Sequence, residues 1–121
     1  MIRAKFAAGN EGVEVTVSAF EGAVGGLLSN VNRWRGQVGL PPLTEPDLPA
    51  ATSREPLPAG QSTWVEMSGT DARTGSPSRL IGVVIPHGAH TWFFKLMGPE
   101  KPALDQKPAF REFLKSVNYS K

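Results

Sequence analysis

Two asparagines, two arginines and a tryptophan fall within NVNRWRGQVGLPP, residues 30–42, before a glycine and a proline pair end the run. Amide and guanidinium groups can serve two purposes. They can grip a ligand, or they can satisfy backbone groups of neighbouring loops. Helical spacing places Val31 and Trp34 on the apolar stripe, turns Arg33 almost directly away, and leaves Asn30, Asn32 and Arg35 at the borders. Arg35 offers a planar fork of donors suited to carbonyls at a strand end or in the proline-rich stretch that follows. Border residues of this kind habitually bond adjoining backbone, so scaffolding is the first expectation. The competing expectation is a ligand or partner contact formed by Asn32, Arg35 and Trp64 beside the proline-rich loop.

The other chemically capable residues suggest less. His87 and His90 are the only histidines, three apart in PHGAH, with no carboxylate beside them. A metal needs three or four convergent ligands, so they read as a solvated turn pair, and no metal site is expected. Neither has a local nucleophile or acid to work with, and no catalytic residue is assigned. EGAVGGLLS, residues 21–29, puts glycines before a helix without the spacing of a phosphate-binding loop. Gly25 and Gly26 are therefore expected to permit close approach of helix to sheet, and no cofactor is expected. Glu45, Asp47, Asp71, Glu100, Asp105 and Glu112 form no pair that sequence alone brings to a glycosidase separation. Trp64, Trp92, Phe93 and Phe94 lack the basic stripe of a nucleic-acid platform and read as core, so no nucleic-acid partner is expected.

Composition agrees with this restraint. The 121 residues suit one domain, 1–121, able to fold without staples. Thirteen basic and 11 acidic side chains leave a charge of +2, too small to argue for a polyanion. Cysteine is absent, which removes disulfides and thiolate chemistry but leaves the compartment open. No apolar run approaches the roughly 20 residues that span a bilayer, so this segment is not expected to insert in a membrane. MIRAKFAAGNEGVEV lacks a continuous apolar segment and reads as a strand from residue 2, not as a signal peptide.

The elements follow from periodicity. IRAKFA and VEVTVSAF alternate as half-buried strands around a Gly/Asn turn. Val24, Leu27, Leu28, Val31, Trp34 and Val38 share one face of a helix near 23–38, with Gly39 as its cap and Pro41 and Pro42 as its stop. Residues 41–60 hold six prolines and read as a crossover loop, with one helical turn at EPDLPA capped by Thr44. STWVEMSGT, SRLIGVVIP and HTWFFKLMG then read as three strands, the last two central because both faces are apolar. PEKPALDQKPAFREFLKSV reads as a closing helix with Ala103, Phe110, Phe113, Leu114 and Val117 on one face, kinked or delayed by Pro108. The expected class is α+β, an antiparallel sheet flanked by helices in the order ββα-loop-βββα.

LLSNVNRWRGQVGLPPL together with HTWFFKLMGP…FREFLKSV resembles an uncharacterised bacterial family of exported proteins and lipoproteins, over nearly the whole chain. The strand order is similar to the PsbP/Mog type of α/β/α sandwich. The resemblance implies that fold, export to the periplasm or cell envelope, no established activity or cofactor, and a role in binding another protein. Pro108 departs from the uninterrupted closing helix of that family. The functional expectation is a non-enzymatic binding or accessory domain of the envelope. The alternative is a small-molecule or peptide-binding domain, or a degenerate hydrolase, with its pocket near the C-terminal end of the 23–38 helix and the proline-rich loop.

Overall fold

Alternating apolar residues draw six strands into one antiparallel sheet: β1 (Ile2–Ala7), β2 (Glu14–Glu21), β3 (Ser53–Leu57), β4 (Gly60–Thr70), β5 (Pro77–His87) and β6 (His90–Pro99), ordered β1-β2-β6-β5-β4-β3. The computed structural model describes residues 2–7, 9, 12–21, 26–58, 60–87 and 90–116. Helix α1 (Gly26–Gln37) lies on one face of the sheet; α3 (Glu100–Asp105) and α4 (Lys107–Ser116) lie on the other. The class is the α+β sandwich that the alternation implies. β5 and β6 are central, and Leu80, Ile81, Val83, Ile85, Phe94 and Leu96 are each inaccessible or nearly so.

The element order differs from expectation in two places. SREPL, inside the stretch read as loop 41–60, is a sixth strand, β3, paired with β4 from Ser53↔Trp64 to Leu57↔Gly60. Pro56 can be there because β3 is an edge strand, where a missing N–H interrupts no ladder. The closing helix is broken rather than bent. α3 ends at Asp105, Gln106 donates to the carbonyls of Pro102 and Ala103, and α4 begins at Lys107. Pro108 thus falls in the first turn of a new helix, where its absent N–H costs nothing. Val117 of the expected apolar face lies outside the described residues.

Two packed layers result. Between the sheet and α3/α4 lie Val13, Val15, Trp64, Phe94, Ala103, Phe110 and Leu114; between the sheet and α1 lie Val31, Trp34, Val38, Met67, Leu80 and Phe93. The close approach of α1 depends on glycines of the sheet, not on Gly26 at its own start. A Cβ at Gly82 would stand 2.1 Å from the Trp34 ring, and one at Gly69 would stand 2.1 Å from the Val38 carbonyl. By contrast a Cβ at Gly26 would meet nothing within 4 Å; its φ of +77° is what needs glycine. Gly25 and Val24 lie outside the described residues.

α1 ends where the sequence places its stop. Gly39 adopts φ +70°, and Val38 and Leu40 both donate to the Arg35 carbonyl, at 3.2 and 2.9 Å. Two more of the last carbonyls are taken by the end of β4: Thr70 donates to Val38 and Ala72 to Gln37, at 2.8 and 3.0 Å. The helix end is therefore fixed to the β4–β5 turn. Beyond it, Thr44 caps the single 3-10 turn Glu45–Asp47, which leads into α2 (Leu48–Ala51).

Candidate functional site

Asn32 and Arg35, on the flank of α1 that faces the proline-rich loop, are committed to that loop. The Asn32 amide donates to the Leu43 carbonyl at 3.1 Å and accepts from the Leu43 N–H at 2.7 Å. Arg35 Nε donates to the Pro41 carbonyl at 2.6 Å. Trp64 lies in the opposite layer, 6 % exposed, edge-on to Phe110 and beneath the Arg111 guanidinium, with its Nε1 donating to Ser62 at 2.8 Å. The sheet separates it from Asn32 and Arg35, so the three residues do not form one site.

A shallow pocket of about 280 Å³ does adjoin Trp64, between α2, β3 and α4. Its charges satisfy one another. Arg111 pairs with Glu55, and Lys107 donates to Glu66 at 2.6 Å. Glu66 also pairs with Arg79, which donates to Glu100 at 2.8 Å, and Ser68 closes the chain on Glu100. Burial pushes the Glu66 carboxyl up, but the Lys107 and Arg79 contacts outweigh it and hold it below its ordinary value. The Ser68 hydroxyl, with help from Arg79, lowers Glu100. This chain of bonds fastens α3 and α4 to the sheet and leaves no charge in it unspent.

The other flank of α1 is different. Trp34 on Gly82 seats the helix over β4 and β5 and against Phe93 of β6, which leaves Lys95 of β6, Thr16 of β2 and Lys5 of β1 beside the helix rather than beneath it. Register puts Lys5 beside Thr16, Thr16 beside Lys95, and Lys95 beside Gly82. A row that is apolar under the helix thus becomes polar beyond it. With Arg33 and Gln37 of α1 as one wall and the turn carrying Arg73 as another, this floor forms a groove of about 820 Å³. Asp71 shapes that turn by accepting from the N–H groups of Arg73 and Thr74, at 2.7 and 3.3 Å. Those N–H groups, Arg73's first, keep its carboxyl below the aspartate range.

Lys95 is the unusual residue of this groove. It is half-buried, and its Nζ donates to Gln37 Oε1 at 2.7 Å. Among the described residues no carboxylate forms an ion pair with it. Glu14 pairs with Lys5 at 3.7 Å, and Asp71 is engaged by its own turn and by Arg73 at 3.6 Å. Burial, reinforced by Arg33, Lys5 and Arg73, pushes the Lys95 amine below the ordinary lysine value; Glu14 acts the other way. Sequence reasoning passed over Lys95 because it stands in TWFFKLMG as the single charged residue of a largely apolar strand. The usable signal was the shared outward phase of Lys5, Thr16 and Lys95, which requires the strand pairing to be known.

Among the described residues no three His, Asp or Glu side chains converge as a metal site, and no helix is long and apolar enough to cross a membrane. His90 ends the pairing of β6 with β5.

The fold and groove define an α+β sandwich with a basic groove on its α1 face. No protein-family model matches the chain, nor does any curated protein. Among solved structures the chain is similar to the crystal structure of PA94 from Pseudomonas aeruginosa, a protein of unknown function. The match has 12% identity and a TM-score of 0.57, and covers 99% of this chain and 83% of that one. At that identity the likeness speaks for the fold alone.

Proposed function

We propose that this chain is a non-enzymatic binding module of the bacterial envelope, with the groove beside α1 as its ligand face. One observation carries the reading: Lys95 is held half-buried at the floor of a groove with no carboxylate ion-paired to it among the described residues. Perturbed ionisable groups in clefts cluster at functional sites, because an uncompensated charge costs stability that scaffolding alone would not require. The opposite flank of α1 and the Trp64 face support this choice by contrast, since their polar groups are engaged with each other or with backbone. On the Trp64 face the Ser62 hydroxyl donates to the Glu55 backbone carbonyl, the Ser68 hydroxyl donates to the Glu100 carboxylate, and Arg79 holds Glu66 and Glu100. The envelope setting rests on the resemblance of NVNRWRGQVGLPPL and HTWFFKLMGP to exported proteins.

A small-fragment screen read by amide chemical shifts tests the binding face. Hits should perturb Thr16, Arg33, Arg73 and Lys95 together. Hits confined to Asn32, Arg35 and the 41–44 segment, or to the surroundings of Trp64, would refute the assignment.

A further inference from the structure

We propose that the groove takes a small phosphate-bearing ligand, a phosphomonoester, whose phosphate sits over Lys95 between Arg33 and Arg73. This rests on the reading of the groove as the binding face and adds the class of ligand. The charge balance selects it. Lys5, Arg33, Arg73 and Lys95 contribute four positive charges and Glu14 and Asp71 two negative ones, a surplus of 4 − 2 = 2 among the groove residues. A phosphomonoester carries about −1.5 to −2 near neutral pH, whereas a single carboxylate would leave half the surplus in place.

Donor capacity gives the same answer. An ammonium has three N–H donors, and Lys95 spends one on Gln37. The Arg33 guanidinium donates to Asn30 Oδ1 from one nitrogen, leaving the rest of its fork free. Arg73, with its side chain 82 % exposed, stands on a turn whose backbone is pinned by Asp71 and by the Gly75 N–H donating to the Asp71 carbonyl at 2.8 Å. The turn is fixed, and the exposed side chain can exchange its 3.6 Å pairing with Asp71 for a ligand. The neighbouring Thr16 hydroxyl, on the same row as Lys95, supplies a neutral donor at the floor. The groove's volume exceeds that of one phosphate, which leaves room for the organic part of the ester. Binding would return to Lys95 the counter-charge that the folded chain withholds.

The probe is glycerol 3-phosphate, titrated into the intact chain and followed by amide shifts, with glycerol and acetate as controls. The expected result is saturable shifts at Thr16, Arg33, Arg73 and Lys95 from the phosphate compound, with glycerol inert and acetate weaker. Lys95→Met should weaken the affinity by about tenfold or more. Arg73→Ala, a change on an exposed turn that does not endanger folding, should weaken it by about threefold to tenfold. Affinity should also fall as pH rises through the lowered lysine value. Equal shifts from glycerol, unchanged affinity in Lys95→Met, or no response to glycerol 3-phosphate would overturn the proposal. Sedimentation with phosphatidic acid vesicles, without any response to the soluble ester, would overturn it in favour of a lipid headgroup. Neutral fragments binding in the groove while the ester does not would remove the phosphate and leave the binding face standing. If no fragment of any charge perturbs the groove, both fail.

Discussion

Asn32 holds both backbone groups of Leu43, accepting from its N–H and donating to its carbonyl, across eleven residues of sequence. This pairing imitates a backbone ladder with one side chain and converts a proline-rich crossover into part of the α1 layer. Leu40, Leu43 and Leu48 then pack against the core beneath α1. Asn32→Ala removes both bonds and should destabilise the fold by about 1–3 kcal/mol. Arg35→Ala loses one bond at a more accessible position and should cost about 0.5–1.5 kcal/mol. Urea unfolding of the two variants checks the order; a neutral Asn32→Ala would contradict a scaffolding role.

Gly82 and Trp34 are matched shapes. With Trp34 2 % exposed and its ring in the space where a Cβ would be, Gly82→Ala must displace the indole or the strand. The expected loss is about 3 kcal/mol, at the upper end of overpacking. Trp34→Ala should cost about 3–5 kcal/mol. If Gly82→Ala leaves the midpoint of unfolding unchanged, α1 does not sit over β5 as described.

Acid should loosen the α3/α4 layer. Glu66 and Glu100 have folded-state values below their unfolded ones, so the stability they give is complete above the ordinary glutamate range and is lost as pH falls through the lowered values. Arg79 joins the two carboxylates. Arg79→Met should therefore flatten the acid limb of a stability-against-pH curve while Lys5→Met, at an exposed surface pair, leaves it unchanged. Parallel acid limbs for parent and Arg79→Met would show that the network contributes nothing.

Pro108 at the second position of α4 is compatible with the helix it begins. Pro108→Ala should change stability by less than about 1 kcal/mol, because only unfolded-chain freedom is altered. A gain of several kcal/mol would mean that the break at Gln106 is strain imposed by the proline.

Strong periodic signals carried through to the fold, and pairing information did not exist in them. The alternation of Val13, Val15 and Val17, the Leu27, Val31, Trp34 and Val38 part of the α1 stripe and the Gly39 stop are local properties, and each appears where the spacing puts it. β3 was illegible because Pro56 argues against a strand until the strand is known to be an edge. Arg35's carbonyl partner was legible in kind, since a border arginine four residues from a helix stop has the turn beyond that stop within reach. The placement of Trp64 was not, because phase along β4 tells which residues share a face but not which helix covers that face. Lys95 combines both difficulties. Its setting is made by β1, β2 and β6 in register and by how far α1 extends across them, none of which is written near residue 95.

The stability of Lys95→Met, without any ligand, tests the central claim most directly. The lowered folded-state value of Lys95 means that its charge costs stability at neutral pH, a cost relieved as pH rises through that value toward the ordinary lysine range. At neutral pH Lys95→Met should be more stable than the parent by about 0.5–1 kcal/mol, a figure already reduced for solvent screening of a half-exposed ammonium. The advantage should shrink as the parent is made alkaline. A variant destabilised by more than about 1 kcal/mol would make Lys95 a structural tie to Gln37, as Asn32 is to Leu43, and the groove would lose its claim to be a binding site.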